Sequence, residues 1–476
     1  MDIPWAVMLI VLPLAAGLMA FVWPRVAQTL VLCCSLAIAL AVAGLALQLW
    51  HHGVFHHALG GWEAPLGIGL YADGLSLVLL TATALVGMGV SVYASAYFTL
   101  DDAHHFWPIW LFLLAALNAL FLSADLFNLY VTLELMGLAA VALTALSGGR
   151  DALAGAVRYL FATLSGSLAY LLGVALLYHA FGSVDMATLA GRMTPVPAAW
   201  AALGLMSAGL LLKTALFPLH FWLPPAHASA PSPVSAVLSA LVIKASFYIL
   251  LRLWIMLFGP FAGDGVAALL GGMGTAAIVW GSVQALRQTR LKLLVAYSTV
   301  AQIGYLFLAF PLAAAAWNAA AVLVLSHALA KSAMFLAAGN LLHFGGHDRI
   351  ADLDRVVQRL PLSAFAFALA GVSLMGLPPS GGFIGKWLLL EAALAQGRWD
   401  LAAVMLLGGL LAAAYVFKVL GHAFTQAAVT HEPTAVPARM EWAALLLACS
   451  AILLGFTATP LLSLLEIGAP FGGSGP

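Results

Sequence analysis

Five ionisable side chains lie near the middle of strongly apolar segments of this chain. They are Glu134, Lys213, Lys244, Lys331 and Lys386. A charge at the centre of a bilayer costs about 2.5–3.5 kcal/mol on insertion scales, so such residues persist mainly where they are used. The pattern therefore predicts a path for ions through the protein.

The composition places the chain in a membrane. Of its 476 residues, 64% are hydrophobic and 8% are charged, which is too little charge to keep a soluble globule in solution. The formal net charge is zero, so nothing indicates a nucleic-acid partner or an electrostatic tether to anionic lipid. Cys33, Cys34 and Cys449 lie in apolar segments without metal-ligand spacing and are predicted to be small core residues. No metal or redox centre is predicted.

Runs of about twenty apolar residues predict fourteen membrane-spanning helices. The runs centre near residues 13, 39, 86, 114, 135, 166, 213, 245, 274, 301, 329, 378, 412 and 452. The first run, from Pro4 to Val22, lacks the basic region and the cleavage site of a signal peptide, so it is predicted to be the first span. The predicted fold class is an all-α polytopic membrane protein.

A histidine-rich segment follows the second span. It contains His51, His52, His56, His57 and Glu63. Clustered histidines can bind a metal, but these two pairs lack a third ligand of fixed type. A solvated loop is therefore the favoured interpretation, with metal binding as the alternative.

The placement of Lys and Arg between the spans predicts the orientation, since cytoplasmic loops are enriched in both. The odd-numbered loops contain nine basic residues and the even-numbered loops contain two. The nine are Arg25, Arg150, Arg287, Arg290, Lys292, Arg349, Arg355, Arg359 and Arg439, and the two are Arg192 and Arg398. The odd loops are thus predicted to be cytoplasmic, with both termini on the other side of the inner (plasma) membrane. Within the spans, Arg158, Arg252 and Lys418 lie close enough to helix ends to extend towards the interface.

Proline motifs interrupt two of the predicted spans. The seventh contains Pro218 and Pro224, and the twelfth contains Pro378 and Pro379. Each proline removes a backbone donor, and the freed carbonyl groups must find partners in protein, water or an ion. Broken helices at corresponding places in two halves are typical of inverted-repeat transporters. The predicted units are residues 1–106 (spans one to three), 107–260 (first repeat, spans four to eight), 261–425 (second repeat, spans nine to thirteen) and 426–476 (span fourteen and tail).

Glu134 and Lys213 would form an ion pair if spans five and seven touch. Burial favours the neutral form of a lysine and a nearby carboxylate favours the charged form, so a pair that can be made and broken changes its proton affinity. The alternative is a static ion pair that holds the bundle together. That alternative leaves Lys244, Lys331 and Lys386 unexplained, because no other central carboxylate exists.

Further polar side chains near the lysines are candidate proton relays. His327 and Lys331 are four residues apart on one helix face, and a neutral histidine can accept a proton on one nitrogen and donate from the other. A lone helical histidine is usually a core residue, but a relay is favoured beside a membrane-embedded lysine. The possible relay residues are His220, Tyr248, Ser326 and Ser332.

Six ordered motifs carry a family resemblance. They are residues 73–76, 212–224, 226–236, 296–299, 327–332 and 376–386. In these motifs the chain resembles the proton-translocating, antiporter-like subunits shared by respiratory complex I and Mrp-type cation/proton antiporters, over about residues 70–420. The sequence around His227 and around Gly385 and Lys386 is most similar to the D-type component of the Mrp branch.

The resemblance implies a fold with fourteen helices, two inverted five-helix repeats and broken helices seven and twelve. It implies roles for the Glu134 and Lys213 pair at the mouth of a first half-channel, for Lys244 as a connecting residue, for His327 and Lys331 as a central relay, and for Lys386 as the terminal residue. It further implies a transporter subunit without a cofactor, which works with other membrane subunits on protons and Na⁺. The alternative is a pumping subunit of a redox complex, such as complex I or a membrane-bound hydrogenase, where the chain would be part of a translocase.

Overall fold

The computed structural model describes residues 4–62, 64, 67–427 and 433–469, so Glu63 lies outside the described residues. Almost all described residues are helical. The helices are α1 (Trp5–Val22), α2 (Ala27–His52), α3 (Gly74–Tyr97), α4 (Leu100–Phe121), α5 (Leu126–Ala145), α6 (Gly149–Phe181), α7 (Met186–Arg192), α8 (Pro197–Thr214), α9 (Leu223–Ser229), α10 (Ser232–Val237), α11 (Ile243–Leu253), α12 (Gly259–Arg287), α13 (Leu291–Phe307), α14 (Ala309–Leu312), α15 (Trp317–Gly345), α16 (Val356–Arg359), α17 (Pro361–Met375), α18 (Gly381–Ala395), α19 (Trp399–Phe424), α20 (Ala438–Leu453) and α21 (Ala458–Leu465).

The chain is a polytopic membrane protein. Within the described ranges, ten helical segments are long and apolar enough to cross a bilayer, or eleven if α20 and α21, which are bent by 75°, form one span. Fourteen spans were expected from the sequence. The difference arises because the two proline-broken segments are divided into short pieces, and because the continuous run Ser232–Arg287 is a single 56-residue segment.

The histidine-rich segment forms a hairpin where the sequence predicted a loop. Strand β1 (Phe55–Ala58) pairs antiparallel with β2 (Gly69–Ala72). His51 and His52 end α2, while His56 and His57 lie on β1, and all four are exposed. The prediction of a loop was therefore wrong in secondary structure, although the histidines do face outward. Within the described segments, no group of three or more His, Cys, Asp or Glu residues is placed to hold a metal.

Two short backbone bridges tie helix starts to distant linkers in the same way. Leu126 donates its N–H to the Val184 carbonyl (2.8 Å) and Met186 to the Ala124 carbonyl (3.1 Å). Leu291 donates to the Asp348 carbonyl (2.6 Å) and Ile350 to the Thr289 carbonyl (2.9 Å). The residues paired across these bridges are Asp125 with Asp185, and Arg290 with Arg349. The start of α5 and the start of α13 are thus fixed by the same hydrogen-bond pattern.

Both proline motifs end a helix in the same manner. Helix α8 is followed by Ala215 and helix α17 by Gly376, both with left-handed backbone (φ 56° and 82°). The amide two residues after the helix then returns to the fifth residue before it, Leu216 to Leu211 and Leu377 to Val372. This is the hydrogen-bond closure of a Schellman-type helix end. Pro224 lies in the first turn of α9, and Pro378 and Pro379 lie between α17 and α18.

The most enclosed helices pass through the centre of the molecule. The most apolar windows of Ser232–Arg287 and of α15 are buried throughout, whereas those of α1 and α19 are only about one-third buried. Lys244 lies on α11 and Lys331 on α15, so both belong to the enclosed part of the bundle. Lipid-facing positions of the outer helices are apolar, as a bilayer solvent requires.

Candidate functional site

Lys213 lies in the last turn of α8, at the point where α8 meets α5 and α6. Its Nζ is 3.5 Å from Glu134 Oε1 and donates to the Thr163 carbonyl (3.3 Å) and to Ser167 Oγ. The lysine side chain is 3% exposed and that of Glu134 is 19% exposed. Lys213 therefore bridges three helices, and its carboxylate partner lies on the outer side of the pair.

Two glycines make room for this lysine. A Cβ at Gly166 would lie 2.8 Å from Lys213 Cγ and 2.7 Å from the Gly209 carbonyl, so α6 and α8 approach closely only because no side chain intervenes. A Cβ at Gly137 on α5 would lie 2.7 Å from Thr163 Oγ1. The long side chain of Lys213 thus occupies space that the glycines leave open.

A continuous polar chain joins the two enclosed lysines. Lys244 Nζ donates to the Ser239 carbonyl, and Ser239 Oγ is 2.8 Å from Thr299 Oγ1. The Val295 carbonyl accepts from Thr299 Oγ1 (3.1 Å) and from Lys331 Nζ (2.6 Å). Ser239 lies in the π-helical stretch Leu238–Val242, a distortion that is frequent at functional sites.

No carboxylate among the described residues forms an ion pair with Lys244, Lys331 or Lys386. Besides the Val295 carbonyl, Lys331 Nζ donates to Ser298 Oγ at 2.5 Å. These acceptors are neutral. A buried ammonium that faces neutral acceptors lacks the opposite charge that would hold its proton in place.

Two buried histidines flank Lys331. His327 lies one turn before it on α15, and both ring nitrogens of His327 lack a partner among the described residues. His227 on α9 is fully buried, stacks on Phe335 with ring centroids 4.7 Å apart, and likewise has no hydrogen-bond partner in the described part of the chain. Lys331 Nζ is 5.7 Å from the centre of the same Phe335 ring. His227 was not among the relay residues expected from the sequence.

Lys386 spans the break in the second proline motif. It lies on α18, and its Nζ donates to the Leu374 carbonyl of α17 at 2.6 Å. The ammonium is 4.1 Å from the centre of the Tyr305 ring, a distance typical of a cation–π contact. Lys386 also lines a mainly apolar cavity of about 700 Å³ beside Gly376 and Trp387.

The other candidate relay residues are distributed unevenly around this centre. Ser326 Oγ contacts Ser373 Oγ at 2.9 Å, whereas Ser332 Oγ donates to carbonyl groups of its own helix. His220 lies in the non-helical link between α8 and α9, so it is not two helical turns from Lys213 as a gentle kink would place it. Tyr248 OH donates to the Phe121 carbonyl (3.0 Å) rather than to Lys244.

Arg252 is a correction to the sequence analysis, which placed it at the interface. It is 5% exposed, and its two terminal nitrogens lie 2.5 and 2.8 Å from the carboxylate of Asp73. It also donates to Ser76 Oγ and Tyr248 OH, both at 3.1 Å. Helix periodicity alone did not indicate which basic residue has an acidic partner 179 positions away.

Lys292 is a second correction. It was counted among the loop residues, but it lies in the first turn of α13, is 3% exposed and donates to the Ala230 carbonyl at 2.5 Å. Lys418 is partly buried and donates to the Leu286 and Gln288 carbonyls at the end of α12. Arg158 is exposed. Burial of Lys292 beside α9 could have been suspected from the apolar run that follows it.

Residues 123–412 match the family described as "NADH:quinone oxidoreductase/Mrp antiporter, TM". The chain belongs to this family. It is 37% identical over 433 residues to the N-type component of the NADH-quinone oxidoreductase of Desulforudis audaxviator, covering 88% of this chain and 86% of the relative. It is 29% identical over 398 residues to the D-type component of the Na(+)/H(+) antiporter of Bacillus subtilis, covering 82% and 80%. The resemblance seen in the sequence motifs is confirmed.

The fold matches a component of a solved respiratory assembly. A chain of the membrane-bound sulfane sulfur reductase, an archaeal respiratory membrane complex, superimposes with a TM-score of 0.91 at 27% identity, covering 98% of this chain and 96% of that chain. Two kinds of family member, antiporter subunits and respiratory subunits, are therefore similar to this protein over most of its length.

Proposed function

We propose that this chain is a proton-translocating subunit of a multisubunit membrane complex, with a Mrp-type Na⁺/H⁺ antiporter as the first candidate. The observation that carries the proposal is the hydrogen-bonded chain from Lys244 through Ser239, Thr299 and Val295 to Lys331. Hydroxyl groups can accept one proton while they donate another, so such a chain offers a route for proton transfer between two lysines. A bundle stabilised only by packing has no need of these groups.

The proposed sequence of events begins at the exposed pair. Glu134 releases or engages Lys213 as its own charge changes, and Lys213 passes a proton inward. Lys244 and Lys331 carry it through the centre with His327 beside them, and Lys386 returns it to one side of the membrane across the break between α17 and α18. Possible relays on this route are His220, Tyr248, Ser326 and Ser332, and the breaks at Pro218, Pro224, Pro378 and Pro379 supply the unpaired backbone groups.

The proposed topology has fourteen spans. It follows if Ser232–Arg287 holds two of them, and if α8 with α9, α17 with α18, and α20 with α21 each form one broken span. A 56-residue helical run is about 84 Å long at 1.5 Å per residue, more than twice the thickness of a bilayer core. The matching bridges and matching helix ends support two repeats, at 107–260 and 261–425, with both termini on the non-cytoplasmic side.

A pumping subunit of a redox-driven complex is the second candidate. It is favoured by the 37% identity to an oxidoreductase component, against 29% for an antiporter component. In that assembly the chain would be part of a translocase, and the redox cofactors would belong to other polypeptides. Purification of the intact complex in mild detergent separates the candidates, since small hydrophobic antiporter subunits support the first and iron–sulfur proteins support the second.

The Glu134 and Lys213 pair tests the proton route. In vesicles containing the intact complex, Glu134→Gln and Lys213→Met are expected to abolish proton-coupled transport while the complex still assembles, because the helices keep their packing. Glu391→Gln, which changes an exposed carboxylate on α18, serves as the matched control and should transport normally. Loss of the complex from the membrane would instead support a structural ion pair. Normal transport by both variants would refute the proposed route.

A further inference from the structure

The two backbone bridges carry opposite charges. The bridge at the start of α5 pairs Asp125 with Asp185, and the bridge at the start of α13 pairs Arg290 with Arg349. Like charges directly opposite each other across a β-bridge repel, so each site needs compensation. The same local backbone thus presents an acidic pair in one half of the chain and a basic pair in the other.

The basic pair has its counter-charges in place. Arg290 Nε is 2.9 Å from Asp348, and Arg349 is 3.5 Å from Asp352. Across the described residues, neither Asp125 nor Asp185 forms an ion pair with a basic side chain. The acidic pair is therefore uncompensated where its counterpart is neutralised.

Each aspartate uses one oxygen as a helix cap. Oδ1 of Asp125 accepts from the Asn128 N–H at 2.6 Å, and Oδ1 of Asp185 accepts from the Thr188 N–H at 2.7 Å. Asp125 is 7% exposed, and its Oδ2 is buried without a hydrogen-bond partner in the part of the chain that the structure describes. A buried carboxylate oxygen without a partner is costly and calls for a ligand.

A cavity lies beside this oxygen. Its volume is about 340 Å³, and it is bounded by the β1–β2 hairpin on one side and by the linkers before α5 and α7 on the other. Asp125 and Asp185 line it together with His56 and His57 of β1. These are the titratable groups that face Asp125 from the elements packed around it. The cavity is large enough for a hydrated ion.

We propose that the Asp125–Asp185 bridge and this cavity form a binding site for a hard monovalent cation such as Na⁺. Two carboxylates provide the oxygen ligands that hard cations prefer, and neighbouring backbone carbonyls can complete the shell. A transition-metal site is disfavoured, because no three His, Cys, Asp or Glu residues of the described segments are grouped closely enough to hold a metal. Neither the bridge nor the cavity is part of the lysine path.

The position of the site connects it to that path. Asp125 caps α5, and Glu134 lies nine residues further along the same helix, about 13 Å away at 1.5 Å per residue. A cation held at the cap would therefore sit above the Glu134 and Lys213 pair. Its part in transport, though not its binding, rests on the proposed function.

Protons compete with the cation at this site. Burial raises the pKa of Asp125 above its usual 3.8, and the charge of Asp185 adds to the effect, against the hydrogen bonds that lower it. In the absence of cation the folded protein thus holds a proton that the unfolded chain would release. Stability without cation is then highest at low pH and falls as the pH rises through the raised pKa. Cation binding should offset this loss, so the effect of Na⁺ should grow with pH.

The test is thermal unfolding of the purified full-length chain as NaCl replaces N-methyl-D-glucamine chloride at constant ionic strength. The wild type should show a saturable rise in melting temperature that is larger at pH 8 than at pH 5. Asp125→Asn with Asp185→Asn should abolish it, because asparagine preserves the helix caps but removes both charges. Asp264→Asn, at an exposed aspartate outside this cavity, is the matched control and should respond as the wild type does.

Two outcomes would overturn the site. One is an equal Na⁺ response in the double variant, and the other is no Na⁺-specific response at any pH in the wild type. Direct binding of radioactive ²²Na⁺ to the same proteins gives an independent readout, and its loss in the double variant is expected. Binding without an effect on transport would leave the site standing and remove its link to the proposed function.

Discussion

Among the described residues, Thr299 provides the side chain that connects Ser239 to the Val295 carbonyl in the chain between the two central lysines. Thr299→Val replaces its hydroxyl with a methyl group of nearly the same size. The substitution leaves the packing of α13 against α11 and α15 intact but removes both hydrogen bonds. Lys244 and Lys331 keep their own contacts to the Ser239 and Val295 carbonyls. The variant therefore interrupts the route without touching either lysine.

The magnitude follows from the group that is left behind. Ser239 Oγ is buried, and its 2.8 Å contact with Thr299 is its hydrogen bond to another helix. A buried hydroxyl without its partner costs about 1–3 kcal/mol. If that cost falls on the step in which the proton crosses between helices, transport slows roughly 5- to 150-fold, at about 1.4 kcal/mol per factor of ten.

The assay is the initial rate of proton movement in vesicles containing the intact complex. Thr83→Val is the matched control, because Thr83 is equally buried but its hydroxyl donates only to the Leu79 carbonyl of its own helix. A wild-type rate in Thr299→Val, with normal assembly, would show that protons do not cross between α11 and α13 through these hydroxyls. An equal loss in both variants would mean that the assay reports stability rather than proton transfer.

Two further predictions concern other buried charges. Lys386→Arg should lose proton-coupled transport in vesicles, because an arginine does not readily deprotonate, whereas Lys386→Glu should retain part of it with a shifted pH optimum; full activity of the arginine variant would show that only positive charge is needed. Asp73→Asn leaves Arg252 buried without its carboxylate, at a cost of about 3–5 kcal/mol. It should lower the melting temperature more than the double variant Asp73→Asn with Arg252→Gln does, and equal losses would argue against a buried ion pair.

The sequence predicted the class of the fold and the residues at its centre for a simple reason. A lysine within twenty apolar residues is visible without a structure, because the bilayer makes such a residue rare. Proline motifs are equally visible, and helices α8 and α17 end at them. Helix ends and interruptions are local properties of the chain, so they can be read locally.

Partners were harder to predict than positions. Nothing in the spacing of Arg252 indicated Asp73, and nothing in that of Lys292 indicated the Ala230 carbonyl, because both contacts join elements that are distant in sequence. Ser239 and Thr299 escaped notice for a related reason. Small hydroxyl residues are common in membrane helices, and only the packing of α11 and α13 shows which of them face each other.

The two halves place their central lysines on different helices. Ser167 of α6 and Lys331 of α15 each lie fifteen residues before a left-handed glycine cap, Gly182 and Gly346. Lys213 likewise corresponds to Leu374, since each lies two residues before the left-handed residue that ends its helix.

The acidic position also differs. Glu134 lies nine residues after the Asp125 cap and Thr299 nine after Arg290, so a carboxylate in the first half corresponds to a hydroxyl in the second. The first half therefore has an ion pair at the position where the second has a lysine with neutral partners. If the halves are the proposed repeats, a proton is held more firmly by Lys213 when Glu134 is engaged and more loosely by Lys331 at all times. That difference gives the path a direction, from a site that a carboxylate can control towards one that releases its proton readily.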